Sequence, residues 1–205
     1  MHDYAIDKHP KQKILYFLAF IAITVAPWAT RAMDGAVRST VAYLGVAAPV
    51  FKAVPVATVF AVLYWCFDRY LWRWRALRRV MLVPDLNGQW TVNGVTLWRD
   101  GQTLIEAWTG SVVIVQSWSK ISIRMSSDNS SSRSIAASLS HEPGVGYRML
   151  YQFENDPVVA HSELRPHSGT TDLLFPEGCD RAAGSYFTNQ NRKTVGELRL
   201  ERTSK

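Results

Sequence analysis

The sequence predicts a membrane-anchored all-β protein, in which two N-terminal transmembrane helices precede a small, roughly eight-stranded, up-and-down antiparallel β-barrel. Two apolar runs, Ile14–Thr30 and Val41–Phe67, lie in the first third of the 205-residue chain. An arginine cluster follows at once and consists of Arg69, Arg73, Arg75, Arg78 and Arg79. From Pro84 onward the apolar runs become short, alternate with polar residues and are separated by Gly, Asn, Asp, Pro and Ser.

The first apolar run, of about 17 residues, is long enough to cross the hydrocarbon core of a bilayer. A cleaved signal peptide is the alternative, because Lys8, Lys11 and Lys13 precede the run as in a signal sequence. The run exceeds the apolar length of about 7–15 residues that is typical of such a segment, so a retained helix is favoured.

The second apolar run contains Pro49 and Pro55, and each proline removes a backbone donor and disfavours a straight helix. We therefore expect the second span to centre on Val54–Phe67. The preceding segment, Val41–Val50, is then expected to lie partly in the outer leaflet.

The charges predict the topology. Lysines before the first span favour an inside N-terminus, and the arginine cluster favours an inside C-terminus, so an even number of spans satisfies both. The connection Arg31–Thr40 then lies outside. Residues 1–80 are predicted to form the two-span anchor with its basic linker, and residues 81–205 a cytoplasmic ligand-sensing barrel.

The net charge of +6 is consistent with this topology. A basic chain can bind nucleic acid, but arginines beside a span also set orientation and contact anionic headgroups. A lipid bilayer is therefore the expected partner of the cluster, and no DNA or RNA partner is expected.

Eight strands are predicted after the linker. In Lys120–Met125 the apolar residues Ile121, Ile123 and Met125 fall on one face, as in a strand with one packed and one wet side. Leu198 and Leu200 likewise share one face of Val195–Arg202, and Gly184, Tyr186 and Thr188 share one face of Gly184–Thr188. A short ninth piece, Val95–Arg99, extends the first hairpin. The predicted strands are Gly88–Asn93, Gly110–Trp118, Lys120–Met125, Arg133–Ser140, Tyr147–Asn155, Thr170–Phe175, Gly184–Thr188 and Val195–Arg202.

A candidate ligand site lies at the barrel end opposite the membrane linker. In an up-and-down barrel this end carries the loops after strands one, three, five and seven, predicted at Asn93–Trp108, Ser126–Ser132, Glu154–Leu164 and Asn189–Thr194. Polar mouths suit small anionic ligands, although loop tips are polar in most soluble domains. Arg192 is the first choice for a phosphate contact. The full predicted set is Arg192, Tyr186, Thr188, Asn155, Asn191, Lys193 and Arg133.

Patterns typical of catalysis are missing from the sequence. His161 and His167 have no suitably spaced carboxylate for a metal site, and no Gly-rich phosphate loop or G-x-S-x-G elbow occurs. Cys66 and Cys179 lie in different parts of the chain and suggest no disulfide or zinc framework. We expect no catalytic residues, no metal and no cofactor.

The segment Gly88-Gln89-Trp90 at the start of the barrel and Leu198–Arg202 at its end resemble the lipocalin and wider calycin pattern. There a first-strand Trp plugs the closed end, and an Arg of the last strand packs across it. Arg199 or Arg202 is expected to make this cation–π contact. An ordinary core tryptophan is the alternative.

The whole chain resembles the two-transmembrane β-barrel effectors of bacterial CBASS anti-phage systems, the CD-NTase-associated protein fifteen family. The resemblance includes the anchor, the arginine linker and the segments Asn87–Trp90, His167–Thr171 and Gly184–Thr188, with Arg192 after them. It implies a barrel that binds a cyclic oligonucleotide second messenger, expected to be a cyclic dinucleotide, made by a partner nucleotidyltransferase (CD-NTase). It further implies a homo-oligomer that disrupts the bacterial inner membrane and kills the infected cell.

Two other classes stay open at this point. One is a membrane-tethered lipocalin-like carrier, which needs a large apolar cavity. The other is a scaffold module without nucleotide sensing.

The topology gives a first prediction. Alkaline phosphatase fused after Lys205 should be inactive and green fluorescent protein fused there should be fluorescent, because the C-terminus is expected to be cytoplasmic. As a control, alkaline phosphatase fused after Arg38 should be active. Phosphatase activity after Lys205 would show the orientation to be wrong.

Overall fold

The computed structural model describes residues 1–7, 10–45, 54–99, 101–128, 130–157, 167–189 and 193–204. The chain divides into two compact units. One is a helical unit, Pro10–Trp74. The other consists of Met1–His9 together with Arg75–Lys205 and contains the strands.

The helical unit contains α1 (Lys11–Leu44), α2 (Val56–Arg69) and a short 3-10 turn (Leu71–Arg73). By length and composition, α1 is the one helix among the described residues that is able to cross a membrane. Its 34 residues span about 51 Å, more than the hydrocarbon core of about 30 Å. The helix ends at Gly45, whose left-handed backbone (φ 66°) lets its N–H bond to the carbonyl of Val41.

The predicted connection between the spans, Arg31–Thr40, has the wrong bounds, because these residues belong to α1. Hydropathy falls at Arg31, but charged residues do not by themselves end a helix. Arg38 forms an ion pair with Asp34 one turn earlier, with Nε 3.0 Å from the carboxylate oxygen. The helix also continues through Pro27, and it ends only at Gly45.

The second helix begins directly after Pro55, in agreement with a segment centred on Val54–Phe67. It contacts α1, and the N–H of Val54 donates to the hydroxyl of Thr30 at 2.9 Å. Its 14 residues cover about 21 Å, which is less than a bilayer core. A second crossing therefore remains a prediction from the charges, and Pro49 and Lys52 lie outside the described residues.

The second unit contains a closed, eight-stranded antiparallel barrel, as predicted. A short helix, α3 (Arg75–Met81), precedes it. Neighbouring strands pair in sequence order, and the last strand pairs with the first. Numbered after two short N-terminal strands, β1 (His2–Asp3) and β2 (Ala5–Ile6), the barrel strands are β3 (Gly88–Arg99), β4 (Gln102–Gln116), β5 (Lys120–Ser127), β6 (Ser130–Glu142), β7 (Gly146–Pro157), β8 (His167–Phe175), β9 (Arg181–Thr188) and β10 (Thr194–Ser204).

The strands are longer than predicted, chiefly at one end of the barrel. The expected loop Asn93–Trp108 is a hairpin in which β3 and β4 continue to Arg99 and Gln102. The expected loop Ser126–Ser132 is likewise mostly strand. Both stretches are rich in polar and small residues, a composition typical of loops. Here these residues belong to paired strands at the solvent-exposed end of the barrel.

The opposite end, here called the base, is closed by Trp90. Its ring is 1 % exposed, its Nε1 donates to the carbonyl of Leu86 at 3.1 Å, and it meets Phe175 edge-on at 5.5 Å. The guanidinium carbon of Arg202 lies 4.5 Å from the Trp90 ring centroid. The expected cation–π contact is therefore made by Arg202, whereas Arg199 is exposed.

The N-terminus makes an unexpected contribution to the barrel. Residues 2–7, here called the N-terminal strap, lie between β5 and β6: β1 pairs antiparallel with β5, and β2 pairs parallel with β6. Two-residue strands have no detectable period, so the sequence alone gave no sign of this insertion.

Removing the Trp90 side chain should destabilise the barrel strongly. Trp90→Ala leaves a cavity at the base, and we expect a loss of about 3–5 kcal/mol in the free energy of unfolding. The matched control is Trp98→Ala, whose side chain is 37 % exposed and should cost much less. Urea unfolding of the detergent-solubilised chain, followed at the β-sheet circular dichroism band, measures both; equal losses would contradict the plug.

Candidate functional site

The barrel interior opens at the end opposite the base into a cavity of about 190 Å³. This end is here called the mouth. Inward-facing residues from β3 to β10 supply most of the lining, and hydroxyl, amide, aromatic and charged groups are mixed there. The lining residues are Thr96, Arg99, Glu106, Trp108, Met125, Ser127, Ser130, Phe153, Asn155, His167, Thr171, Tyr186, Thr188, Thr194 and Leu198.

Two aromatic rings form one wall of the cavity. Trp108 and Tyr186 meet edge to face, with ring centroids 6.1 Å apart and planes at 76°. The Tyr186 hydroxyl lies 2.8 Å from the hydroxyl of Thr96, where either group can donate. Such a wall offers a ring face for stacking and a fixed polar edge.

Glycines on the neighbouring strands make room for these rings. Gly94 lies opposite Trp108 in the β3–β4 register, and Gly196 lies opposite Tyr186 in the β9–β10 register. A Cβ on Gly94 would overlap the indole of Trp108, and a Cβ on Gly196 would collide with the phenol of Tyr186. The two aromatic side chains can therefore lie inside the barrel because their cross-strand partners have no side chains.

A β-bulge turns Arg99 toward the cavity. Along β3 the even-numbered residues face inward, and strict alternation would direct Arg99 outward. The β3–β10 register shifts, however, so that Val195 faces Trp98 and Gly196 faces Thr96, which leaves Leu97 as the extra residue. Beyond the bulge Arg99 pairs with Thr194 and lines the cavity.

Arg99 is held by an acidic neighbour. Its Nη2 lies 2.9 Å from a carboxylate oxygen of Glu106, and both side chains are partly exposed, at 34 % and 52 %. The Nε of Arg99 is buried and has no hydrogen-bond partner among the described residues. An ion pair this exposed contributes little, about 0–1 kcal/mol, so a better anion can displace the carboxylate.

Asn155 presents an unused donor to the cavity. The residue is 4 % exposed, and its Nδ2 has no hydrogen-bond partner among the described residues. It faces His167 across the β7–β8 pair, and His167 is also buried. An unpaired buried amide costs free energy unless a ligand completes it.

Hydroxyls line the β9–β10 side of the mouth. Thr188 and Thr194 have their hydroxyl oxygens 2.7 Å apart, and the Thr188 hydroxyl also accepts the N–H of Thr194 at 2.8 Å. These contacts fix the strand ends next to the β9–β10 hairpin tip. The tip itself, residues 190–192, lies outside the described residues.

The structure places the predicted site residues in three groups. Asn155, Tyr186 and Thr188 come together around the cavity. Lys193 lies at an exposed outer groove, and Arg133 is on the outer surface in an ion pair with Glu154 at 3.0 Å. The remaining two, Asn191 and Arg192, are outside the described residues.

The predicted site set leaves out three lining residues, Arg99, Trp108 and His167. Trp108 carried a usable signal, because continuing the inward alternation of β4 upward from Val112 reaches it. The assignment of residues 93–108 to a loop removed that signal. The same loop assignment placed Arg99 at the mouth, but the alternation of β3 gave no sign that its side chain faces the cavity, since the bulge reverses its face.

The lining offers several groups that can bind a ligand. One guanidinium, an aromatic wall of two rings and several neutral donors together fit a small aromatic anion. Among the described residues no group of three or more His, Cys, Asp or Glu side chains is arranged to hold a metal ion. Cys179 lies at the barrel base, away from this lining, and burial raises the pKa of its thiol to about 11.

Comparisons with known proteins find two family models that match two successive parts of the chain. A family model described as Cap15, TM helices, matches residues 12–73, and a model described as Cap15, cyclic dinucleotide receptor domain, matches residues 81–202. A CD-NTase-associated protein 15 of Yersinia aleksiciae is 34 % identical over 155 residues, covering 76 % of this chain and 73 % of the relative. One of Staphylococcus schleiferi is 24 % identical over 190 residues, covering 92 % and 90 %.

The Nδ2 of Asn155, which has no hydrogen-bond partner among the described residues, should cost stability in the ligand-free protein. Asn155→Leu removes the buried donor while keeping the number and branching of the side-chain heavy atoms, so the free energy of unfolding should rise by about 1 kcal/mol. Asn93→Leu, the same exchange at an exposed position of β3, should leave it within about 0.5 kcal/mol. Urea unfolding measures both, and a marked loss of stability in Asn155→Leu would show that the amide is satisfied in the folded state.

Proposed function

The chain belongs to the Cap15 family, and from that premise we propose that it is the membrane-bound effector of a CBASS anti-phage system. A partner nucleotidyltransferase makes a cyclic dinucleotide during infection, and the barrel mouth binds it. Binding drives self-association, and the helical unit then disrupts the inner membrane and kills the infected cell. The observation that supports this most is the polar, aromatic-walled cavity inside the segment that matches a cyclic dinucleotide receptor domain.

The cavity offers a counterpart for each part of such a ligand. A cyclic dinucleotide has two phosphates, two nucleobases and two sugars. Arg99 takes one phosphate through charge-assisted hydrogen bonds. The other phosphate is assigned to the β9–β10 tip, where Asn191, Arg192 and Lys193 follow Thr188 in the chain.

The nucleobases need stacking surfaces and edge contacts. Trp108 and Tyr186 supply aromatic faces, which carry no sequence preference of their own. The Nδ2 of Asn155, which has no hydrogen-bond partner among the described residues, and the threonine hydroxyls supply hydrogen bonds. These contacts discriminate between bases because an unmatched buried donor is costly. Asn155 is therefore our choice for the residue that distinguishes one base from another.

Glu106 is expected to oppose binding. Its carboxylate forms an ion pair with Arg99 in the ligand-free state and lines the cavity where a dianionic ligand enters. The ligand must displace it from Arg99, and the two negative groups then repel each other. Removing this charge should therefore raise affinity.

Membrane attachment favours the step from binding to damage. Diffusion in two dimensions raises the effective concentration of bound protomers, so a modest interface suffices for self-association. The proposed orientation places both termini and the barrel in the cytoplasm, where the nucleotide is made. The domain limits that go with it are residues 1–80 for the anchor and 81–205 for the sensor.

A lipocalin-like carrier of an apolar ligand fits the cavity less well. The lining holds a guanidinium and a buried amide nitrogen that has no hydrogen-bond partner among the described residues, and an apolar ligand would satisfy neither group. A scaffold without nucleotide sensing has no use for either group.

Binding measurements on the solubilised full chain test the proposal. A panel of cyclic dinucleotides and trinucleotides is titrated by calorimetry. Arg99→Ala should weaken the best binder by about 10- to 100-fold, the loss expected for a charge-assisted hydrogen bond. Glu106→Gln should tighten it by about threefold to tenfold, and less at high salt.

Arg133→Ala is the matched control, because Arg133 forms a similar ion pair with Glu154 on the outer surface. Its affinity should equal that of the wild type. If Arg133→Ala weakens binding and Arg99→Ala does not, the site lies elsewhere on the barrel. If nothing in the panel binds, and toxicity in cells does not depend on an active nucleotide-producing enzyme, the proposed nucleotide sensor is wrong. The hypothesis of a scaffold module then replaces it.

A further inference from the structure

The junction between β5 and β6 is the weakest in the barrel. Among the described residues it consists of three residue pairs near the mouth: Arg124–Arg133, Met125–Ser132 and Ser126–Ser131. Every other junction between neighbouring barrel strands has at least six. Toward the base the two strands diverge, and the gap between them is filled by the N-terminal strap.

The strap satisfies the backbone of this gap. His2 and Asp3 pair with Ile121 and Lys120 of β5. On the other side Ala5 and Ile6 pair with Ser138 and Leu139 of β6, and the N–H of Asp7 donates to the carbonyl of Leu139 at 2.9 Å. Without the strap these strand edges would be open.

Side chains of the strap add two anchors. His2 Nε2 lies 2.7 Å from the hydroxyl of Ser134, which also accepts the N–H of Ile123 at 2.9 Å. Tyr4 is 7 % exposed, and its hydroxyl accepts a hydrogen bond from Gln116 Nε2 at 3.0 Å. Tyr4 is the one buried residue of the strap.

These contacts hold the strap only lightly. Each of its strands has two residues, and the pairing with β6 is parallel, the weaker arrangement per residue. One buried side chain gives little apolar burial, and segments with few buried contacts open locally at low free-energy cost. The strap is therefore the part of the barrel that detaches most easily.

The strap is also the direct extension of the membrane helix. Residues 8–10 alone separate Asp7 from the first residue of α1, Lys11. Four residue steps of extended chain reach at most about 15 Å. The strap and α1 are therefore joined by a short stretch of chain.

The mouth must widen to accept its ligand. Its volume of about 190 Å³ is below the range of about 300–1,000 Å³ typical of pockets that enclose a ligand of this size. The junction that yields first is the one with the fewest pairs, β5–β6. Its residues Met125, Ser127 and Ser130 already line the cavity.

We propose that nucleotide entry opens the β5–β6 junction and releases the N-terminal strap, which frees the start of α1 from the barrel. The strap is thus the connection between the sensing site and the membrane. This inference rests on the proposed function, since it takes a cyclic dinucleotide as the ligand of the mouth. By linkage, anything that holds the strap in place also weakens nucleotide binding.

A reversible cross-link tests the release. Asp3 and Lys120 lie directly opposite in an antiparallel pair and are both exposed, so cysteines there suit a disulfide. The variant Asp3→Cys/Lys120→Cys is made in the full chain with Cys66→Ala and reconstituted in dye-filled vesicles. Oxidised, it should bind a fluorescent cyclic dinucleotide about tenfold more weakly and release no dye; reduction should restore both.

The matched control is a disulfide at a junction that stays closed. Ser185→Cys/Glu197→Cys joins an exposed pair of β9 and β10, and its oxidation should change neither affinity nor leakage. The single variants Asp3→Cys and Lys120→Cys should show the same affinity and leakage with and without the oxidant. Hydrogen exchange at the Asp7 amide should accelerate when nucleotide saturates the reduced double variant.

The outcomes separate the two proposals. If the reduced protein binds nucleotide but the oxidised protein binds and leaks equally well, strap release is wrong and the proposed function stands. Greater protection of the Asp7 amide on binding would also overturn it. If no cyclic dinucleotide binds the reduced protein, the proposed function fails and the strap mechanism fails with it.

Discussion

Closure of the hydrogen-bond ladder is what shapes this barrel. A sheet avoids open edges when its last strand meets its first, and here β10 pairs with β3 along most of its length. The circumference is then fixed, so interior space is decided by which side chains point inward. At the base Trp90 and Phe175 fill that space. At the mouth Gly94 and Gly196 have no side chains, so two aromatic rings fit inside the barrel and a cavity remains beside them.

Much of this was accessible from the sequence, because strands with one buried face have a period of two. The alternation around Ile121 and Ile123, and again around Leu198 and Leu200, predicted both the strands and their inner faces, and those residues are buried. The same period placed Tyr186 and Thr188 on one face, and both line the cavity. The plugged base was implied by the resemblance of an early Trp and a late Arg to the calycin pattern.

Other features could not be predicted, because they depend on tertiary pairing rather than on a local pattern. Arg99 faces the cavity since a one-residue bulge at Leu97 reverses the alternation, and no local signal marks the extra residue. The strap has too few residues for any period and acquires its conformation from β5 and β6. The continuation of α1 through Arg31 was missed because hydropathy indicates whether a residue prefers lipid or water and does not indicate whether its backbone is helical.

Two arginines at the two ends show how the same group serves structure and binding. Each has a buried Nε without a hydrogen-bond partner among the described residues. Arg202 lies over the face of Trp90 and donates Nη2 to the carbonyl of Asp85 at 2.8 Å, so the fold itself supplies both contacts. Arg99 has a half-exposed carboxylate as its partner, which solvent and salt already weaken. An incoming anion can replace the weak ion pair at the mouth, which is why the proposed phosphate contact is assigned to Arg99 and not to Arg202.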